Sequence, residues 1–369
     1  MDLAFLQPLY EHPGPWASVY VDTSQRSESM AHERSLMALD MFRQLAAQDA
    51  DEPTCRAVYT AIEELRHASE PYGRALFATH GQIVLDPPLS RPPQRTAAWW
   101  APLPHTAPLL ELADPEPVCL VAYIDRRGAE FELRGALGSE AAGAVTGRQW
   151  PIHKTATRDW SERHFQLKVE NTWEHNAAEV ADAITVCQEE TRADLIVLVG
   201  DDRERRSVHN RLPKRLHDRT AESTHGVGSR LLDEEVERIR AGHVRRRAEE
   251  DLERFLAARA PDGGGPAGAV EGVPALVAAA REHRIDELLI RLEAPDADRE
   301  IWIGERPDQL AVRRTDLTGP GLDAPPIPAR ADDALLRCAV ATGAPAISVS
   351  SLSPEEVPVG GLGALLRWT

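Results

Sequence analysis

Leu195-Ile-Val-Leu-Val-Gly200 decides the architecture of this chain. Its consecutive apolar residues, mostly β-branched, are too few for a helix and lack the polar alternation of a half-exposed strand. A run of this kind belongs to a strand covered on both faces, and such strands sit in parallel sheets flanked by helices. The expected fold class is therefore α/β. The upstream sequence agrees. Trp173, Ala177, Val180, Ala181 and Ile184 recur at helical spacing, which predicts a core-packed helix leading into the strand. Before that, Val118–Ile124 and Ala129–Leu133 flank Asp125-Arg-Arg-Gly128, a hairpin signal in which Gly128 is free to adopt a positive φ.

Residues 147–173 separate the hairpin from the helical stripe: Gly-Arg-Gln-Trp-Pro-Ile-His-Lys-Thr-Ala-Thr-Arg-Asp-Trp-Ser-Glu-Arg-His-Phe-Gln-Leu-Lys-Val-Glu-Asn-Thr-Trp. This stretch follows neither the strand nor the helix period, although Asp159 or Ser161 would cap a following helix. His153, Lys154, Arg158, Trp160, Arg163 and His164 make it basic and aromatic. Arginine donates to phosphates and tryptophan stacks on bases, so these residues are candidate RNA contacts. The plainer alternative is a solvated loop whose tryptophans pack on the core. On the other side of the strand, Arg203–Arg219 carries seven Lys/Arg and two acidic residues. Ligands of open α/β sheets bind beyond the carboxyl ends of strands, and Arg203, Arg205 and Arg206 begin at such an end. The alternative there is a helix surface paired with the protein's own acids.

The full chain has 369 residues and a formal net charge of −17. That length calls for more than one domain. The overall charge opposes nonspecific binding to polyanions, so any RNA contact must be local, and no DNA partner is expected. No apolar run approaches the roughly 20 residues of a membrane span, and Met1–Tyr10 lacks the features of a secretory signal. Cys55, Cys119, Cys187 and Cys338 are too scattered for a zinc site and read as buried thiols, which suits a cytoplasmic protein.

Three consecutive α/β units are expected, over residues 1–112, 115–260 and 268–369. The first has a strand at Ala17–Val21, helices at Met30–Gln48 and from Pro53, and a hairpin around His80-Gly-Gln82. The charged segment Asp233–Arg259 reads as a connecting helix, and Asp262-Gly-Gly-Gly-Pro-Ala-Gly268 as a linker. The last unit alternates as helix Val273–His283, strands Glu287–Leu292 and Glu300–Ile303, helix Asp332–Thr342, then strands Ala346–Ser350 and Ala364–Trp368.

Other chemistry is sparse. Asp125, Asp201 and Asp202 at strand ends would have to converge on Mg²⁺ for a metal-dependent nuclease, but arginines crowd them. No Ser or Cys nucleophile has a readable base, and no P-loop or GxGxxG occurs. Gly226-Val-Gly228, in a Ser/Thr/His loop, is a weak phosphate-binding signal. No cofactor and no metal are expected.

Four segments in order carry a resemblance: Gly14-Pro-Trp-Ala-Ser-Val-Tyr-Val-Asp22, Trp150-Pro-Ile-His-Lys154, Ile196–Gly200 with its polar successor, and Gly361-Leu-Gly-Ala-Leu-Leu-Arg367. Through them the chain resembles archaeal and eukaryotic class I peptide chain release factors, and more closely the mycobacterial and Balon-like branch of their bacterial homologues. The resemblance implies a factor that enters the ribosomal A site, meeting ribosomal RNA and P-site tRNA. Its first domain would face the decoding centre and its middle domain the peptidyl-transferase centre. Its last domain would resemble a kink-turn-binding ribosomal protein and dock a translational GTPase, EF-Tu in Balon-like relatives. Release factors place Gly-Gly-Gln before the long middle-domain helix, and this chain has no Gly-Gly-Gln. The nearest triplet is Gly147-Arg-Gln149, in which Arg148 lacks the backbone freedom of glycine. Gln149 is thus only a weak catalytic candidate, and no Asn-Ile-Lys-Ser stop-codon motif occurs. The expected function is noncatalytic A-site occupancy in ribosome hibernation or stress. The alternatives are a peptidyl-tRNA hydrolase or release-type rescue factor, and then the metal-dependent nuclease.

Overall fold

In the computed structural model the described backbone covers residues 1–23, 30–65, 73–113, 117–135, 138–146, 161–226, 228–259, 267–317, 324–353 and 357–368. The chain is a mixed α/β protein, and it divides into two compact units. One is the continuous middle segment, 115–244. The other joins both ends of the chain, 1–114 and 245–369.

The N-terminal segment contributes α1 (Gln7–Tyr10), β1 (Trp16–Asp22), α2 (Met30–Ala46), α3 (Glu52–Glu64), β2 (Gly73–Thr79), β3 (Gln82–Leu85), β4 (Pro88–Leu89), β5 (Ala97–Ala101) and α4 (Leu109–Leu112). Its sheet runs β3-β2-β1-β5, with β4 also on β2. The β2–β3 turn uses His80 and Gly81, both at positive φ. Asp51 caps α3 by accepting from the Thr54 amide at 2.9 Å, with Pro53 in the first turn. Strand alternation gives β1 two different faces. Ala17, Val19 and Val21 pack under Met41, Val58 and Ile62 of the two helices. Trp16 and Tyr20, with Phe77 of β2, face a second core.

That second core is completed by the other end of the chain. The C-terminal segment holds β11 (Ala269–Glu271), α9 (Val273–Arg281), β12 (Ile285–Ile290), β13 (Glu300–Ile303), β14 (Leu310–Ala311), β15 (Ile327–Arg330), α10 (Ala331–Thr342), β16 (Ala346–Ser348) and β17 (Leu362–Leu366). They form a β11-β17-β12-β16 sheet and a β14-β13-β15 sheet. Leu276, Leu288, Leu335 and Leu336 share one cluster with Trp16, Tyr20 and Phe77. Met1 exchanges two hydrogen bonds with Ala346, at 2.7 and 3.1 Å.

A buried ionic cluster fastens the same seam. The loop after β5 carries His105, whose Nδ1 lies 3.1 Å from both oxygens of Asp333. The Thr106 amide donates to Asp333 at 3.2 Å, and Arg330 grips Asp332 at 2.7 and 3.0 Å. The Tyr20 hydroxyl donates to the His105 carbonyl at 2.7 Å. Both aspartates stand in the first turn of α10, where the helix dipole favours negative charge.

The middle unit holds β6 (Cys119–Asp125), β7 (Gly128–Gly135), β8 (Gly138–Thr146), α5 (Ser161–Thr191), β9 (Leu195–Val199), α6 (Asp202–His209), α7 (Lys214–His217), β10 (Thr220–Glu222) and the start of α8 (Leu232–Arg259). The sheet order is β10-β9-β6-β7-β8, with β10, β9 and β6 mutually parallel. The Leu195–Val199 run is covered on both faces. Ile196 and Leu198 pack with Val180 and Ile184 of α5, while Leu195, Val197 and Val199 pack with Leu232 and Val236 of α8. The helix after the hairpin begins at Ser161, the start expected from Asp159 or Ser161 as a cap, so residues 161–173 are helical backbone although their sequence follows no clear period. The four cysteines are buried and unpaired.

Candidate nucleic-acid interface

Parallel register brings three carboxyl ends to one edge of the middle sheet. Tyr123 of β6 pairs with Val199 of β9, and Glu222 of β10 pairs with Leu198. Beyond these positions lie the turn Asp125-Arg-Arg-Gly128, the start of α6 and the loop Ser223–Gly226. Gly200 lets the first two approach. A Cβ there would come 2.5 Å from the Ile124 carbonyl oxygen, so no other residue fits without moving the strand end.

The Asp125 carboxylate closes its turn by accepting from the Arg127 and Gly128 amides at 2.6 and 2.9 Å. Arg126 and Arg127 are thereby left exposed at the edge. Arg126 Nε donates to Glu204 at 3.3 Å, and Asn176 of α5 donates to the Arg126 carbonyl at 3.3 Å. Burial and nearby Asp201 push the Glu204 carboxyl above its usual range.

Helix α6 sorts its charges by face. Glu204, Arg205 and Val208 are buried, whereas Arg203 and Arg206 are exposed. Arg205 is ion-paired with Asp202 and lies 3.6 Å from Glu222. Its charge is used inside the unit, so of the three arginines proposed as RNA contacts Arg205 instead pairs with the protein's own acids. His209, one turn on, contacts the same Glu222 at 2.9 Å. The exposed cations that follow these strand ends are therefore Arg126 and Arg127 in the turn and Arg203 and Arg206 on α6. Sequence reasoning passed over the first pair as RNA contacts. The available signal was that Arg126-Arg127 and Asp201–Arg203 each directly follow an apolar strand run.

The Ser/Thr/His loop is already filled by an internal anion. Glu235 of α8 is buried and accepts four hydrogen bonds, from the Ser223 and Thr224 hydroxyls and the Thr224 and His225 amides. Burial alone would raise its pKa, but these donors lower it to about 2. The donors that suggested a phosphate cradle thus bind a carboxylate of the protein itself.

The remaining sequence candidates fall elsewhere. Gln149, His153, Lys154, Arg158 and Trp160 lie outside the described residues; Arg163 and His164 lie on the α5 backbone, with side chains outside that description. Asp125, Asp201 and Asp202 do not form a three-ligand cluster. Among the described residues, that arrangement occurs at His105, Asp332 and Asp333, with ligand atoms within 4.8 Å of one another. The Arg330 guanidinium already supplies the compensating positive charge there. No helix among the described residues is long and apolar enough to cross a membrane.

Residues 118–261 match the family described as bacterial archaeo-eukaryotic release factor family 2. Uncharacterized proteins from two strains of Mycobacterium tuberculosis, CDC 1551 / Oshkosh and ATCC 25618 / H37Rv, are each 28% identical over 373 aligned positions, covering 96% of this chain and 94% of the relative. Among solved structures, the chain is similar to the archaeal translation termination factor aRF1 (16% identity, 98% and 96% of the two chains, TM-score 0.24). It is also similar to Archaeoglobus fulgidus Pelota (15%, 80% and 79%, TM-score 0.36). The segment similar to that bacterial release-factor family spans nearly all of the unit that carries the arginine edge.

Proposed function

We propose that this chain is a ribosome-binding translation factor that occupies the A site without releasing peptide, in hibernation or stress. The observation that carries the reading is the release-factor match over residues 118–261, in a sequence without Gly-Gly-Gln. In this reading the edge formed by Arg126, Arg127, Arg203 and Arg206 meets ribosomal RNA. His153, Lys154, Arg158, Trp160, Arg163 and His164 extend that contact toward P-site tRNA. Four guanidiniums on a strongly acidic protein favour local, oriented docking over diffuse adhesion. The unit composed of both chain ends would contact the decoding centre and a translational GTPase such as EF-Tu.

Sedimentation of lysate from starved cells tests this. The protein should migrate with 70S particles and leave them as salt rises, because phosphate contacts weaken through counterion release. It should release no peptide from ribosome-bound peptidyl-tRNA, and Gln149→Ala should leave its binding unchanged. Migration with free protein under all conditions would refute ribosome binding. Robust release abolished by Gln149→Ala would replace this reading with a peptidyl-tRNA hydrolase.

A further inference from the structure

A cleft of about 560 Å³ lies within the unit built from both chain ends, and the RNA-binding reading does not use it. Tyr10, Trp16, Pro102, Ile303 and Ile327 supply aromatic and aliphatic wall. Arg337 of α10 also lines it and is only 9% exposed. Its guanidinium donates to two main-chain carbonyls, Gly304 at 2.9 Å and Glu305. No carboxylate of the described residues pairs with it. Asp308, whose field reaches it, is itself paired with Arg306 at 3.3 Å. The Tyr10 hydroxyl is engaged with Thr106 at 3.3 Å.

A buried cation held only by neutral carbonyls retains donor capacity and lacks a compensating charge. This one borders a concave, largely apolar space of the size that holds small molecules. Exposed Glu11 and Glu305 stand among the same lining residues, which disfavours a polyanion such as a nucleotide triphosphate. We propose that the cleft binds a small monoanion with an apolar body, a carboxylate or sulfonate on an aromatic or branched aliphatic frame, with Arg337 taking the anionic group. The walls take the apolar part, and the guanidinium fork suits the planar oxyanion.

The test uses the full-length protein and two probes with the same ring, indole-3-propionate and tryptamine, titrated by calorimetry at low salt. The net charge of −17 would draw the cationic probe to the surface and repel the anionic one. A preference for the anion must therefore come from a local site. The expected result is saturable binding of indole-3-propionate, with tryptamine at least tenfold weaker. Ile327→Glu adds a negative charge at a wall position that is 45% exposed. It should leave the melting temperature unchanged and weaken the anion at least tenfold. Arg337→Met should abolish the preference; if that variant fails to fold, Ile327→Glu decides alone. Equal affinity for both probes, no binding of either at millimolar concentration, or an undiminished preference in Ile327→Glu would overturn the proposal.

Discussion

Neighbouring arginines on α6 have opposite surroundings and should respond differently to the same substitution. Arg205 is buried against Asp202 and Glu222. Its removal takes the shared guanidinium from both carboxylates, with Glu222 only partly exposed and left to His209. Arg205→Ala should cost about 1–3 kcal/mol in chemical denaturation, toward the lower part because Asp202 is largely in water. Replacing Arg203 and Arg206 with Ala should leave stability within about 0.5 kcal/mol. In the proposed role, that double variant should bind ribosomes more weakly, with a salt dependence reduced by up to roughly two charges' worth. Ribosome binding with unchanged affinity and salt slope would remove α6 from the interface. Glu235 gives a pH test. Its folded pKa, about 2, lies below the ordinary carboxylate value of 4.5. The stability it contributes is therefore present above about pH 4.5 and lost as pH falls toward 2. The difference in melting temperature between wild type and Glu235→Gln should be largest near neutrality and shrink through that window.

The paired aspartates that open α10 make this helix a second pH-dependent element. Burial disfavours a charged His105, yet the Asp333 carboxylate at 3.1 Å outweighs it and raises the imidazole above its usual value. Burial and the adjacent Asp333 push Asp332 up to about 6. A raised histidine contributes stability that is fully present below about pH 6.5 and lost as pH rises through its folded value. His105→Gln should therefore lower the melting temperature more at pH 6 than at pH 8.5; an equal loss at both would mean that packing, not charge, is what His105 supplies. Element positions were largely legible in sequence. The β9 run, the β6–β7 hairpin, the Pro53-led helix and strand Glu300–Ile303 follow from local periodicity and turn chemistry, which a short window contains. The start of α5 was legible only from the capping residue types Asp159 and Ser161, because charged and aromatic residues interrupt the helical period of the sequence after them. Of the candidate site, the basic character of α6 was legible, but not the burial of Arg205. That burial depends on Glu222, a residue brought near by a parallel strand. The Glu235 contacts were likewise hidden, since the donors and the acceptor belong to separate elements with no shared period.

At the scale of the molecule, the charge of −17 and the arginine edge oppose each other. Proposed binding to ribosomes should therefore be steep in salt yet discriminate against bare polyanions, which competition with heparin would measure. Strong capture by heparin at physiological salt would indicate a general polyanion binder instead. The joining of both chain ends in one core has a consequence for synthesis. The middle unit is continuous in sequence and has all its strands once residue 244 has left the ribosome. The first sheet does not have this independence. Trp16, Tyr20 and Phe77 wait for Leu335 and Leu336 before their side of the sheet is covered. At roughly 5–20 residues per second, translation from residue 114 to residue 336 leaves that apolar face open for about 10–45 s. A nascent chain halted before α10 should expose it to chaperones and proteases, whereas a chain halted after β17 should not. Each new copy of the protein thus passes through a vulnerable adolescence, in which its first-made part is the last to become safe.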